Sequence, residues 1–174
     1  MVMEGDPFML IEGMTIAGVA VGASKGFIYI RSEYPDAIRA MKDAIRIATT
    51  GNWLGRNIQG SVHSFALEVR RGAGAYICGE ETAMLESLEG KRGMVRPKPP
   101  IPALYGLFGK PTVINNVLSF AAVPYILAEG GKAYENYGMG RSRGTLPFQL
   151  AGNIKQGGLV EKAFGITLGQ LIND

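Results

Sequence analysis

A glycine-rich stretch over residues 71–82 carries the residue types best suited to binding chemistry. It reads RGAGAYICGEET, with glycines at Gly72, Gly74 and Gly79. Because glycine lacks a side chain, such a backbone can bring its N–H groups against a phosphate or a flat ring. Ile77 stands where the dinucleotide-binding fingerprint requires a third glycine. The stretch therefore predicts a phosphate-bearing or flat ligand, but not an ordinary Rossmann fingerprint loop.

Two adjacent carboxylates, Glu80 and Glu81, stand where this stretch passes into a predicted helix. From the pattern alone, the simpler interpretation is that they complement the helix dipole. The alternative is that they accept hydrogen bonds from a ribose or from a nicotinamide amide. Cys78 is typical of a small buried residue, and His63 of a polar loop contact. The sequence therefore indicates no catalytic acid, base or nucleophile, and no metal site.

The segments before this stretch predict an α/β fold. Residues 27–30 have the pattern of a short buried strand, and residues 64–69 that of a second strand. Between them, apolar residues recur at helical spacing from Pro35 to Gly51. Strand, helix and strand form a βαβ unit, in which the two strands run parallel. A further helix is predicted over residues 82–88.

Three other segments complete the first part of the chain. Residues 10–23 are small and apolar and predict a buried helix. Residues 96–102 contain four prolines, which predicts a stiff, extended wall. Asn115 or Asn116 can cap a helix that ends before Gly130, and Pro124 should kink or divide it.

A glycine-, serine- and arginine-rich segment at residues 137–144 is the predicted linker. Beyond it, residues 146–153 predict a strand, followed by a turn, a strand edge and a helix. This arrangement divides the chain into an α/β domain over residues 1–140 and the start of a small domain over residues 141–174. Both are expected to be incomplete.

Composition excludes several classes of protein. A net charge of +3 with only short clusters of lysine and arginine does not predict nucleic-acid binding. The single cysteine permits neither an internal disulfide nor an iron–sulfur cluster held by this chain alone. The sequence contains no signal-peptide pattern and no apolar run of about 20 residues, the length of a membrane span. We expect a cytoplasmic chain without membrane insertion, or one that lies peripherally on the cytoplasmic side of a membrane complex.

Several longer motifs carry a family resemblance. The run GAGAYICGEETAMLESLEGKRG, followed by RPKPPIPALYGLFGKPTVINNV, closely resembles the flavin-binding subunit of NADH dehydrogenase and its relatives in NAD-linked hydrogenases and formate dehydrogenases. EGDPFMLIEGMTIAGVAVGA and GTLPFQLAGNI extend the resemblance over nearly the whole chain. The segment RSRGTLPFQLAGNIKQGGLVEKAFGITL is most similar to the beta subunit of NAD-dependent formate dehydrogenases. The resemblance implies a Rossmann-like flavin-binding domain with parallel strands and flanking helices, followed by the start of a small α+β, β-grasp-like domain.

The resemblance also implies a site for FMN and NAD(H). In the family, the flavin and the stacked nicotinamide would be lined by Tyr76, Gly79, Glu80 and Glu81. Lys98 would reach the NADH. Ile101 stands where the family usually has a phenylalanine that stacks on the adenine, so we do not expect stacking there. The implied cofactor-binding residues are Gly72, Gly74, Tyr76, Gly79, Glu80, Glu81, Thr82, Lys98, Asn115 and Asn116, the two asparagines binding the phosphate or ribityl region of the flavin.

The implied activity is hydride transfer from nicotinamide to flavin, followed by electron transfer to iron–sulfur centres, with other subunits of an electron-transfer complex as partners. Relatives carry an earlier glycine-rich loop, an acidic Asn-Ala-Asp-Glu-Gly-Glu-Pro stretch and a later four-cysteine domain, which these 174 residues lack. We therefore expect the isolated chain to bind flavin weakly or not at all. Two alternatives are an inactive truncated fragment and a phosphate-binding module for another nucleotide.

Overall fold

The computed structural model describes residues 1–173, which form two compact units, one ending at Ala121 and one beginning at Ala122. The first unit is an α/β arrangement. Its helices and strands are α1 (Val2–Gly5), α2 (Pro7–Val21), β1 (Lys25–Arg31), α3 (Pro35–Thr50), β2 (Ala66–Gly72) and α4 (Glu81–Leu88), and α5 (Val117–Glu129) begins in it.

Strands β1 and β2 pair in parallel, which confirms the predicted βαβ unit. The register runs from Lys25 opposite Ala66 to Arg31 opposite Gly72. Helix α3 connects them and buries the side of the helix that contains Met41, which has no exposed surface. Eleven buried side chains form the core of this unit: Leu10, Ile11, Ile28, Ile30, Ala37, Met41, Ala44, Ala48, Leu54, Phe65 and Leu67.

Helix α2 begins at Pro7, three residues before the predicted start. The carboxylate of Asp6 accepts a hydrogen bond from the backbone N–H of Met9 at 3.1 Å, and proline is favoured at the first helical position. Gly18 lets the helix pack closely on Phe65, the residue before β2, because a β-carbon at Gly18 would lie 2.5 Å from its ring. The predicted burial of this helix holds at Leu10, Ile11, Gly13 and Gly18, whereas its last residues are exposed.

The second unit consists of short elements. They are α6 (Gly131–Glu135), β3 (Gly138–Met139), β4 (Ser142–Arg143), β5 (Thr145–Leu150), β6 (Gly158–Ala163) and α7 (Leu168–Asn173), with β3 antiparallel to β4 and β5 antiparallel to β6. Residues 137–144 were predicted as a linker, but they fold as the β3–β4 hairpin. The two compact units meet at residues 121 and 122. The predicted domain boundary at residue 140 stays a prediction.

Helix α5 continues through Pro124, so this proline does not divide it. Among residues 1–173, no helix combines the length and the apolar character that crossing a membrane requires.

Candidate functional site

Two of the predicted site glycines, Gly72 and Gly74, lie where the chain leaves β2. A β-carbon on Gly72 would come within 2.6 Å of the hydroxyl oxygen of Tyr29, whose ring packs against this position. Gly74 has φ +94°, and a β-carbon there would lie 2.9 Å from a carboxylate oxygen of Glu33. Packing and backbone conformation within the chain are therefore sufficient to require glycine at both positions.

The surface around Tyr76 and Gly79 is different, because residues 1–173 leave it exposed and unpacked. Residues Tyr76–Gly79 form a short 3-10 helix, and the side chain of Tyr76 is 92% exposed. A β-carbon on Gly79 would meet no atom within 4 Å, and the φ of Gly79 lies outside the left-handed region. Only Cys78 of this turn is buried. The same short turn thus exposes an aromatic ring at its start and leaves open space at its last residue, Gly79.

Glu80 caps helix α4. Its Oε2 accepts hydrogen bonds from the backbone N–H groups of Thr82 and Ala83, both at 2.8 Å, and from the Thr82 hydroxyl at 2.6 Å. Burial alone would raise the pKa of the Glu80 carboxyl, but the hydrogen bonds from Thr82, Ala83 and Lys98 outweigh it and lower that pKa to about 2. Glu80 therefore carries its negative charge at neutral pH, directly at the start of the helix.

The side chain of Lys98 lies between the two carboxylates. Its Nζ donates to Glu80 Oε1 at 3.2 Å and to Glu81 Oε1 at 2.5 Å. The hydrogen bond to Glu81 and then that to Glu80 raise the pKa of Lys98. The three side chains are between 31% and 39% exposed, so solvent reaches them. We refer to Glu80, Glu81 and Lys98 as the lysine–carboxylate cluster.

Thr82, another predicted site residue, is only 2% exposed. Its hydroxyl donates to Glu80 and accepts the backbone N–H of Arg96 at 2.9 Å. Both hydrogen-bonding functions of this side chain are therefore used within the protein. Thr82 thus helps to hold Glu80 in place, and its hydroxyl group has no free hydrogen-bonding function for a ligand.

A network of charged side chains around Arg96 was not predicted from the sequence. Its guanidinium donates to carboxylate oxygens of Glu86 and Glu89 and, at 3.1 Å, to the carbonyl of Gly106. A hydrogen bond from Lys91 lowers the pKa of Glu89 to about 2; burial opposes this effect, and Arg96 and the N–H of Phe108 add to it. Glu86 and Glu89 are spaced to share one side of α4. Two glutamates at this spacing, together with an arginine in the following proline-rich segment, were the sequence signal from which the network could have been predicted.

An open cavity of about 450 Å³ lies beside this network rather than at the cluster. The charged groups that line it, including Lys91, pair with one another. We therefore do not assign the cavity to a ligand.

The two predicted asparagines lie before α5. Asn116 accepts the backbone N–H of Leu118 at 2.9 Å and so caps this helix, as one of the two was expected to do. Asn115 is exposed. Within residues 1–173, the hydrogen bonds of the structure join neither asparagine to the lysine–carboxylate cluster, so their predicted role in flavin binding stays a prediction.

Residues 1–125 match the family model described as the Nuo51 FMN-binding domain. The chain belongs to this family. The match covers the βαβ unit, the lysine–carboxylate cluster and the two asparagines, which confirms the family resemblance read from the sequence motifs.

Curated relatives of this Nuo51-family chain are subunits of larger enzymes. It is 49% identical to an NADH-quinone oxidoreductase subunit of Rhizobium meliloti, over 99% of this chain and 41% of that protein. It is 48% identical to the HndC subunit of the NADP-reducing hydrogenase of Solidesulfovibrio fructosivorans, over 99% of this chain and 35% of that protein. The chain thus spans about two fifths of the length of these relatives.

A crystal structure of an NAD⁺-reducing [NiFe]-hydrogenase in the air-oxidised state has the same fold. The two share 37% identity with a TM-score of 0.85, over 98% of this chain and 28% of that one. This likeness confirms the α/β fold with a parallel sheet and flanking helices. None of these three relatives is a formate dehydrogenase, so the finer resemblance stays a prediction.

The residues of this Nuo51-family domain fit the groups that the family name implies. Gly79 leaves a space that a β-carbon would fill, in the same turn as the exposed Tyr76, and a flat ring system needs such an open backbone. Lys98 offers an ammonium donor, and Glu80 and Glu81 offer acceptors for hydroxyl or amide groups. Among the described residues, no cluster of histidine, cysteine or acidic side chains could hold a metal ion.

Proposed function

We propose that the chain is part of the NADH-oxidising flavoprotein subunit of a multi-subunit oxidoreductase. The observation that carries this proposal is the juxtaposition of Lys98 with Glu80 and Glu81, next in sequence to the open space at Gly79. One small area thereby combines a cation, two acceptors and an accessible backbone. A dinucleotide presents the matching groups, namely ribose hydroxyls, an amide and flat rings.

Each residue contributes binding and orientation in this proposal. Tyr76 would offer its ring to a flat cofactor surface, and Gly79 would let that surface approach the backbone. Lys98 would reach the NADH, while Glu80 and Glu81 would accept hydrogen bonds from ribose or amide groups. Asn115 and Asn116 are proposed to bind the phosphate or ribityl region of the flavin.

Bound FMN would supply the redox chemistry by accepting a hydride from the reduced nicotinamide. The chain would orient the two ring systems and limit the access of water, and we assign no acid–base residue. Iron–sulfur clusters that take up the electrons would belong to other parts of the complex, since the single cysteine of this chain cannot ligate one. The partners would be the subunits that carry those clusters.

The structure disfavours one of the two alternatives. A phosphate-binding module for another nucleotide would use the free N–H groups at the start of α4. Two of these groups already donate to Glu80, whose charge would repel a phosphate. An inactive fragment is the remaining alternative, and a ligand-binding measurement distinguishes it from the proposed function.

Thermal unfolding of the chain with FMN, NADH or ATP tests the proposal. A ligand that binds only the folded state stabilises it by about 1.4 kcal/mol at ten times its dissociation constant, which raises the melting temperature by several degrees. We expect NADH at millimolar concentration to raise it, FMN to do so weakly, and ATP to leave it unchanged.

The other outcomes identify the alternatives. If no ligand changes the melting temperature, the chain is an inactive fragment, and if ATP acts as strongly as NADH, it is a general nucleotide module. Lys98→Gln should abolish the NADH effect while leaving the unliganded melting temperature close to that of the wild type. Arg39→Gln, which removes a cation from the exposed surface of α3, is the matched control.

A further inference from the structure

We propose that Arg96 is a positioning residue for Lys98: it fastens the proline-rich segment to α4 so that the lysine is held at the two carboxylates. The proposal rests on the proposed function, because it treats Lys98 as a nucleotide-binding group. It concerns a residue that itself lies outside the lysine–carboxylate cluster.

The segment that carries Lys98 needs an external anchor. Residues 96–102 lie outside any helix or strand, and their four prolines have no N–H with which to make backbone hydrogen bonds. Stiffness limits the conformations of the segment but does not fix its place on the protein. The ion pairs of Lys98 cannot fix the position of the segment, because a bound nucleotide would compete for the same groups.

Arg96 supplies such an anchor two residues before the lysine. Its backbone N–H is bound by the buried hydroxyl of Thr82, which also contacts Glu80. Its guanidinium is held by Glu86 and Glu89 near the other end of α4. Main chain and side chain of the same residue therefore both attach to this helix.

The residues that follow the proline-rich segment are attached to the same charged network. Glu89 Oε1 accepts the backbone N–H of Phe108 at 2.8 Å as well as a guanidinium N–H at 2.8 Å. The guanidinium also binds the carbonyl of Gly106. One arginine–glutamate pair thus closes the loop that begins at Arg96 and ends near Phe108, and it does so away from the groups that a ligand would contact.

Burial distinguishes this anchor from the other ion pairs. In residues 1–173, the pairs of Arg96 with Glu86 and Glu89 are the only ones in which neither side chain is more than 20% exposed. The pairs of Lys98 are 31–39% exposed. A planar guanidinium with several fixed donors holds a set geometry, whereas an ammonium ion is a rotatable point charge. The anchor is consequently the more rigid of the two contacts.

The test measures Lys98 directly. The chain is treated with an amine-acylating reagent, and the modification rate of each lysine is followed by mass spectrometry, with the highly exposed Lys132 as reference. In Arg96→Gln, we expect Lys98 to react about three-fold faster or more, because release from the carboxylates increases its neutral, reactive fraction. Lys91 should react no faster, because Glu89 gains freedom to pair with it.

Conservative and control variants separate positioning from a general loss of structure. Arg96→Lys keeps the charge but cannot bind three acceptors in the same geometry, so it should give an intermediate rate. Arg46→Gln removes an exposed guanidinium from α3 and should change nothing. If Arg96→Gln does not fold, Glu86→Gln replaces it, because it removes one of the two carboxylates and leaves Glu89.

NADH binding is measured by calorimetry on the same variants, and the dissociation constant should rise about ten-fold in Arg96→Gln, since small misplacements of a binding group are costly. An unchanged Lys98 rate in a folded Arg96→Gln or Glu86→Gln variant would overturn the proposal, as would an equal rise at Lys25, which pairs with Glu68 across β1 and β2. If the wild type binds no NADH, the proposed function fails, while the acylation rates still decide whether Arg96 positions Lys98.

Discussion

Replacing Glu80 by glutamine should destabilise the first unit at neutral pH but much less in acid. Glutamine keeps the shape of the side chain and one carbonyl oxygen, but it removes the charge that Thr82, Ala83 and Lys98 stabilise. The loss in free energy of unfolding should therefore equal the electrostatic contribution of the Glu80 cap to stability. It should disappear under conditions in which Glu80 itself is protonated.

The magnitude follows from the pKa of Glu80, which folding lowers from 4.5 to about 2. A shift of that size corresponds to at most about 3.4 kcal/mol. The side chain is 31% exposed, so solvent screening reduces the expected loss to about 1–2 kcal/mol, the range found for helix caps. Because the folded-state pKa is the lower one, this stabilisation is complete above pH 4.5 and is lost as the pH falls towards 2.

Urea unfolding followed by the fluorescence of the single tryptophan, Trp53, measures this difference in the first unit. The difference in free energy of unfolding between the wild type and Glu80→Gln should be about 1–2 kcal/mol at pH 7 and less than half as large at pH 3. Asp43→Asn, which removes the acid of an exposed pair on α3, should cost less than about 0.5 kcal/mol. Equal differences at both pH values would refute the assignment of the cap to Glu80.

Three further predictions concern packing and the exposed ring. Gly18→Ala should lower the free energy of unfolding by about 1–3 kcal/mol, because the added carbon meets the buried ring of Phe65, whereas Gly5→Ala, where nothing lies within 4 Å, should be neutral or mildly stabilising. Met41→Ala should cost about 2–5 kcal/mol in the same urea assay, since the side chain is fully buried. Tyr76→Ala should leave the melting temperature unchanged but weaken the thermal shift that FMN or NADH produces, and a fall in unliganded stability would contradict its placement on the surface.

The βαβ unit could be predicted because periodicity reports directly on burial. Apolar residues three and four apart predicted α3, and alternation over residues 64–69 predicted β2. The pattern ended β2 too early, since Arg70 and Arg71 interrupt the apolar residues, but the backbone ladder continues to Gly72. Hydrogen bonding between strands depends on the backbone and tolerates charged side chains that point to solvent.

The site was predicted only in part, because its central contacts join residues far apart in the chain. The motif indicated Lys98 and both glutamates, but not that the lysine bridges them. Thr82 was expected among the cofactor-binding residues; its hydroxyl is buried between Glu80 and Arg96, and its role in cofactor binding stays a prediction. Residues 137–144 were misread because their glycines, which suggest a linker, supply the left-handed positions of a hairpin. Composition alone does not distinguish these two uses of glycine.

The unequal exposure of the two sets of ion pairs makes them respond differently to ionic strength. At 1 M salt the screening length falls to about 3 Å, so solvent-exposed charges hardly attract one another beyond contact, while less exposed pairs are affected far less. Sodium chloride should thus loosen Lys98 from Glu80 and Glu81 while Arg96 stays bound to Glu89. Lys98 and the two carboxylates would then become mobile while the proline-rich segment stays attached to α4. The affinity for a charged ligand would therefore be far more sensitive to salt than the stability of the fold.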